Sequence, residues 1–161
     1  MTPTQKATLK TFILATSDLN TLYTDGNLDG LRDALNAVAS PDFWVWRTNV
    51  TRAEIYHTTS VDSTTWNWTT YKNQGVAEQN AWTQMFMNDQ ANFGLANLRA
   101  GVGAIFTGSA QANAQRDHIL SIAKRLSSRF ERVFAVGTGS SAVPATILVE
   151  GPITTSELIG L

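Results

Sequence analysis

The sequence predicts a mainly α protein: a small helical bundle with one long amphipathic helix, from about 109 to 136, and an extended C-terminal arm with a short β element. Apolar residues recur at the i, i+3, i+4, i+7 spacing of one helical face in several segments before residue 136. The chain then becomes rich in glycine and serine before it turns apolar again. We therefore expect a helical body over 1–136, followed by a hinge and docking arm over 137–161.

Composition limits the function classes. A chain of 161 residues is one domain by size, and only 16% of its residues are charged, against about a quarter in an average soluble protein. This low charge suggests a surface that meets other protein. The net charge of −1 excludes a globally basic nucleic-acid binder, and the absence of cysteine excludes disulfides and thiolate ligands.

The termini show no targeting signal. The first 18 residues contain no apolar core of signal-peptide length, and no apolar run approaches the ~20 residues of a membrane span. We expect a soluble protein that is made in a cytoplasm and has no membrane partner.

Two helices are predicted before residue 40. Thr2-Pro3 begins the first, because proline is favoured in the first helical turn, and the segment 18–20 ends it. Its predicted buried face contains Leu9, Phe12, Ile13 and Ala7. The second runs from about 28 to 38 and stops before Ser40-Pro41. Its predicted buried face contains Leu28, Leu31, Leu35 and Val38.

The segment 43–70 holds four of the five tryptophans as two W-x-W pairs, Trp44/Trp46 and Trp66/Trp68. Alternation along a strand would place each pair on one side, whereas helical partners would point about 200° apart. A short helix after Thr51, with Glu54 as its capping-box partner, is also predicted here, and 61–64 is expected to be a loop. The choice between strand and helix for 43–70 stays open.

Helical spacing resumes over 75–88 and again over 95–106, on either side of a break at 89–94. The second of these helices contains Gly101 and Gly103, each of which costs up to about 1 kcal/mol relative to alanine in a helix. Their presence suggests a bend or a close approach between helices.

The predicted long helix begins at Ser109 as N-cap and ends before Gly137. Its apolar face contains Ile119, Ile122, Ala123, Leu126, Phe130, Val133 and Phe134. Beside that face the spacing places Arg125, Arg129 and Arg132 in one stripe. The stripe is either a solvated surface or a binding surface for acidic side chains or phosphates, because guanidinium groups pair with both.

The arm has two possible roles. A strand is predicted over 145–149, and it is followed by an apolar tail. The segment either folds back as an edge element or adds to a neighbouring subunit by strand pairing. In the second case the partner-binding residues are Val143, Ile147, Val149, Ile153, Leu158 and Leu161.

Residues that could perform chemistry are sparse. His57 and His118 are isolated, and His118 borders an apolar face, where a packing histidine is commoner than a base. Gly101, Gly103 and Gly108 lack the lysine and hydroxyl ending of a phosphate loop. The tryptophans are expected to be core or subunit-contact aromatics. We expect no enzyme, no catalytic or metal-binding residue and no cofactor.

Three blocks, 43–57, 64–87 and 101–151, resemble small proteins encoded among the virion morphogenesis genes of tailed bacteriophages. The first block reads FWVWRTNVTRAEIYH, and the likeness covers about two thirds of the chain, from Phe43 to Gly151. The resemblance implies a structural protein of the phage particle, located in the virion after assembly in the host bacterial cytoplasm.

Within that group the outline is similar to the head–tail connector (adaptor, or neck) proteins, which are helical and form a ring under the portal. This similarity implies a homo-oligomeric ring that contacts the portal protein, a downstream neck or tail protein and DNA in the lumen. A tail-completion or head-decorating subunit is one alternative. A small nucleic-acid-binding module is another, and a hydrolase is a distant one.

Overall fold

The computed structural model describes residues 1–60 and 63–161, and it divides the chain into two compact units. Unit 1 comprises Met1–Val45 and Leu126–Leu161, and unit 2 comprises Trp46–Arg125. About half of the chain is helical and the strands are short, which confirms the predicted mainly α class with a short β element. The units do not divide at the predicted boundary between 136 and 137, because the C-terminal segment belongs to the same unit as the N-terminal helices.

The helices in the described residues are α1 (Pro3–Ala15), α2 (Ser17–Thr24), α3 (Leu28–Asn36), α4 (Arg52–His57), α5 (Trp68–Lys72), α6 (Val76–Met85), α7 (Ala96–Ile105), α8 (Ala110–Ile122), α9 (Arg129–Val133) and α10 (Thr155–Leu158). The strands are β1 (Trp44–Trp46), β2 (Val50–Thr51), β3 (Gln90–Ala91), β4 (Lys124–Leu126), β5 (Ala135–Val136) and β6 (Thr146–Ile147). β2 pairs with β3, and β5 with β6, both antiparallel.

Local signals position most helix starts correctly. Thr2 caps α1 in a capping box with Gln5, Thr51 caps α4 with Glu54, and Ser109 caps α8. The predicted end of the first helix is wrong, because the extended backbone of Thr16 ends α1 and α2 then contains 18–20. The second predicted helix ends early at Asn36, which leaves Val38 exposed.

Unit 1 is built around an aliphatic and phenylalanine core to which both ends of the chain contribute. Its buried members are Leu9, Ile13, Leu19, Leu31, Leu35, Phe130, Phe134, Ile153 and Leu158. Phe12 and Leu28 pack at its edge, whereas Ala7 is exposed. Burial of such side chains supplies most of the driving force for folding.

Unit 2 has an aromatic core. Trp66 stacks on Trp82 with ring centroids 5.5 Å apart, and the Trp82 Nε1 donates a hydrogen bond of 3.1 Å to the Tyr56 hydroxyl. Burial raises the pKa of that hydroxyl above its ordinary value of 10.0. Phe86, Phe93 and Phe106 are also buried in this core. Trp66 and Trp82 are therefore core residues, which is one of the two roles expected for the tryptophans.

The two W-x-W pairs have different structures. Trp44 and Trp46 lie in β1, which is one of the two alternatives left open for this segment. Trp66 and Trp68 do not form a strand, because Asn67 accepts a hydrogen bond from the Thr70 N–H and caps α5, which begins at Trp68. Of the predicted loop 61–64, residues 61 and 62 lie outside the described residues.

The close approach predicted for the glycines of α7 is present at Gly101. A Cβ atom there would overlap the Met85 methyl group of α6, whereas one at Gly103 would meet open space. The methyl group is the far end of a flexible side chain, so a small shift of Met85 would relieve this overlap.

The predicted single helix over 109–136 is wrong. α8 ends at Ile122, β4 follows, and α9 begins at Arg129 after Ser128, whose side chain forms a capping box with Glu131. Backbone groups of the break are paired far away in sequence: the Ser127 N–H donates to Phe43 O and the Arg129 N–H to Ala37 O. These long-range hydrogen bonds outweigh the helical propensity of the segment. The Ser-x-x-Glu motif at 128–131 is the signal that could have predicted the restart.

Glu54 forms the capping box with Thr51 at the N-terminus of α4. Its carboxylate accepts hydrogen bonds from the Thr51 N–H at 2.8 Å and from Arg47 at 2.6 Å. Burial raises the pKa of Glu54, but the hydrogen bonds from Thr51 and Arg47 outweigh that effect and hold the pKa below its ordinary value of 4.5.

Glu54→Gln is expected to change how the free energy of unfolding depends on pH in the acid range. Because the folded-state pKa lies below the unfolded value, the ionised form stabilises the fold above the unfolded pKa, and this contribution disappears as the pH falls through the folded pKa. The free energy of unfolding of wild type should exceed that of Glu54→Gln most above the ordinary pKa of 4.5, and the gap should shrink as the pH falls through the lowered pKa of the folded state. Urea unfolding at several pH values measures this gap. A gap that does not vary with pH would contradict the assignment.

Candidate partner-binding surfaces

No constellation for metal chemistry is present: within residues 1–60 and 63–161, no three His, Cys, Asp or Glu side chains lie close enough to hold a metal ion. His118 is buried, with its Nδ1 3.1 Å from Thr64 Oγ1 and its Nε2 2.9 Å from Ile55 O. This geometry confirms the prediction of a packing, hydrogen-bonded histidine. No helix of the described chain is long and apolar enough to cross a bilayer.

Most of the apolar residues predicted for the arm pack inside unit 1. Ile147, Ile153 and Leu158 are buried, and Val149 and Leu161 are partly buried against the same unit. Burial within their own chain removes these apolar side chains from water. Among the predicted partner-binding residues of the arm, Val143 is therefore the one that is exposed.

Polar contacts also attach the C-terminal segment to unit 1. The Asn36 side chain accepts a hydrogen bond from the Ile153 N–H and donates one to the Ile153 carbonyl, both at 2.9 Å. The buried Glu131 accepts one from the Gly151 N–H at 3.0 Å, and the Tyr23 hydroxyl donates one to Leu161 O at 2.9 Å. The segment therefore folds back, as one of the two alternatives predicted.

The outer side of the same segment is apolar and exposed. Val136, Val143, Leu148 and Ile159 have 62%, 58%, 70% and 63% of their surface accessible. In the β5–β6 pair Ala135 lies opposite Ile147 on the inner face, and Val136 lies opposite Thr146. Since side chains alternate along a strand, Leu148 shares the outer face with Val136, and diagonal neighbours are about 7–8 Å apart. We call Val136, Val143 and Leu148 the hairpin patch.

The three arginines do not form a helical stripe. Arg125 lies in β4, Arg129 is the first residue of α9, and Arg132 lies near the end of α9. Arg129 donates two hydrogen bonds to the Asp18 carboxylate, at 2.6 and 2.9 Å. These bonds lower the pKa of Asp18 below its ordinary value of 3.8. The charge of Arg129 is therefore matched within unit 1.

Arg132 has a different environment. Its guanidinium lies over the Phe43 ring at 5.2 Å, and no carboxylate among the described residues pairs with it. It lines a hollow of about 490 Å³ between α1 and α9. The lining residues are Thr8, Thr11, Phe12, Ala15, Arg132 and Val133. A second hollow of about 260 Å³ shares Phe12 and Arg132 with the first. We call the two hollows together the Arg132 groove.

Sequence reasoning missed this groove because α1 and α9 are more than a hundred residues apart in the chain. One signal was available: the α1 positions that line it, Thr8, Thr11, Phe12 and Ala15, have the spacing of one helical face. No protein-family model, no curated protein and no solved structure matches the chain.

Proposed function

We propose that this chain is a non-enzymatic structural protein of a tailed-phage virion, a head–tail connector whose copies form a ring between the portal and the tail. The resemblance of 43–151 to virion morphogenesis proteins supports the phage setting. The single structural observation that carries the docking role is the exposure of the three large apolar side chains of the hairpin patch, since exposed apolar surface commonly marks a protein–protein contact.

The hairpin patch would contact the portal without unfolding of the C-terminal segment. The inner face of the β5–β6 pair is buried by unit 1, which holds the outer face in a fixed conformation. A surface that is already ordered loses less conformational entropy when it binds than a flexible arm does. The proposed docking element is thus an anchored hairpin instead of a free tail.

The alternatives receive less support. A tail-completion or head-decorating subunit could use the same patch on a different partner, and only the identity of that partner separates it from a connector. A nucleic-acid-binding module needs several cationic side chains that are free to neutralise phosphates. Arg129, one of the three candidate arginines, already pairs with Asp18.

Co-purification with a candidate portal protein encoded near this chain, followed by electron microscopy, tests the proposal. A second ring stacked beneath the portal is the expected result. A bare portal beside this protein, with binding to tail or capsid proteins instead, would contradict the connector and favour the other virion positions.

Leu148→Asp is expected to weaken portal binding by about tenfold or more, because a carboxylate in an apolar contact costs at least the ~1.4 kcal/mol that tenfold represents. Met87→Asp is the matched control: Met87 is similarly exposed, at 75%, but belongs to unit 2. Pull-down titration measures both. Equal binding by Leu148→Asp and wild type, with unchanged thermal stability, would exclude the hairpin patch as the docking surface.

A further inference from the structure

The Arg132 groove has one charge, on Arg132, that no carboxylate among residues 1–60 and 63–161 matches. Its floor is apolar through Phe12, Ala15 and Val133, and Arg132 is half-buried at the junction of the two hollows. A guanidinium beside apolar surface is best satisfied by a carboxylate that arrives with apolar neighbours. DNA fits less well, because phosphates would leave the apolar floor uncovered.

Unit 2 contains a surface of the opposite kind. A hollow of about 280 Å³ between α6 and α7 is lined by Ala77, Glu78, Ala81, Ala104 and Ile105. Glu78 is the one ionisable residue of this lining, and it has no ion-pair partner among the described residues. Ala81 lies next to both Ala77 and Glu78 on α6, at spacings of four and three, and all three line the hollow. We call this surface the Glu78 face.

We propose that the Arg132 groove of one copy binds the Glu78 face of a second copy, with Arg132 and Glu78 paired across the contact. The alanines of α6 present a low ridge that allows close approach to the apolar floor, in the manner of a helix docking into a groove. The charges are complementary and the two patches are different surfaces of the chain.

A contact between two different patches is heterologous, so each copy keeps one groove and one face for further copies. Such contacts close into rings or continue as filaments, according to the rotation that they impose. This inference rests on the proposed function for the ring, and it identifies the surfaces that would join neighbouring subunits.

Charge exchange tests the contact in the full chain. Arg132→Glu and Glu78→Arg should each weaken self-association by about tenfold or more, because each brings two like charges together. The double variant restores one opposite pair and should recover the wild-type association constant. Sedimentation velocity over a range of concentrations measures it, and thermal melts establish that each variant is folded. Lys72→Glu is the control for a change of net charge at an exposed lysine.

Three outcomes would overturn the inference: a wild-type chain that stays monomeric at every concentration, single variants that associate as wild type does, or a folded double variant that fails to recover. The first outcome, combined with binding of duplex DNA that requires Arg132, would assign the groove to nucleic acid. The experiments distinguish failure of the connector proposal from failure of the groove contact. A chain that binds portal without self-associating refutes only the groove contact. Self-association that depends on the pair, without portal binding, refutes only the connector.

Discussion

Trp82→Ala should lower the free energy of unfolding by about 3–5 kcal/mol, the range for deletion of a large buried aromatic side chain. Trp82 is fully buried at the centre of the aromatic core of unit 2. Its ring centroid lies 4.8 Å from that of Phe86 and 5.5 Å from those of Trp66 and Phe106. The substitution also removes the hydrogen bond to the Tyr56 hydroxyl. Urea unfolding followed by circular dichroism measures the loss.

Trp68→Ala is the matched control for this prediction. Trp68 belongs to the same aromatic set, with its ring centroid 4.8 Å from that of Tyr56, but 57% of its surface is exposed. Its truncation should cost about 1 kcal/mol, because it removes aromatic contacts without opening a closed cavity. Equal losses for Trp82→Ala and Trp68→Ala would show that Trp82 does not occupy the core.

Ile153→Ala should destabilise the protein by about 2–5 kcal/mol, the range for truncation of a buried aliphatic side chain. Ile153 is buried in the core of unit 1, and the Asn36 side chain holds its backbone N–H and carbonyl. Because the backbone is fixed at this position, the surrounding structure cannot easily collapse into the cavity. Urea unfolding monitored by circular dichroism is again the measurement.

Ile159→Ala supplies the control within the same segment. Ile159 is largely exposed, and substitutions at such positions usually change stability by less than about 0.5 kcal/mol. If both isoleucine variants were as stable as wild type, the C-terminal segment would be a free arm after all. The predicted contrast also means that deletion of 137–161 removes part of the folded core, so single surface substitutions such as Leu148→Asp are the cleaner test of docking.

The candidate surfaces were only partly predictable from the sequence. Arg132 and Val143 were identified as partner-binding residues, and both lie at surfaces that the proposals use. Glu78 was not identified, because nothing in the local sequence distinguishes an unpaired carboxylate from a paired one. The sequence could not show that Arg129 is paired while Arg132 has no carboxylate partner among the described residues, because Asp18, the partner of Arg129, is 111 residues away.

The sequence by itself determined the mainly α class and most helix starts. Caps such as Thr51 with Glu54 and Ser109 with the Ala112 N–H join residues three apart, so the interacting atoms are specified by neighbours in the chain. The packing role of His118 was predictable for a related reason: its position beside an apolar face is a local property.

Only the tertiary structure decided how the regular apolar stripe over 119–134 is used. Ile119 and Ile122 belong to the core of unit 2, whereas Phe130 and Phe134 belong to the core of unit 1. The helix breaks between them because backbone groups near Ser127 pair with residues at 37–43. The same is true of the C-terminal segment, because Ile153 and Leu158 are buried in a core to which α1–α3 and α9 contribute. Periodicity specifies which residues share a helical face, but partners distant in sequence decide whether that face continues and what covers it.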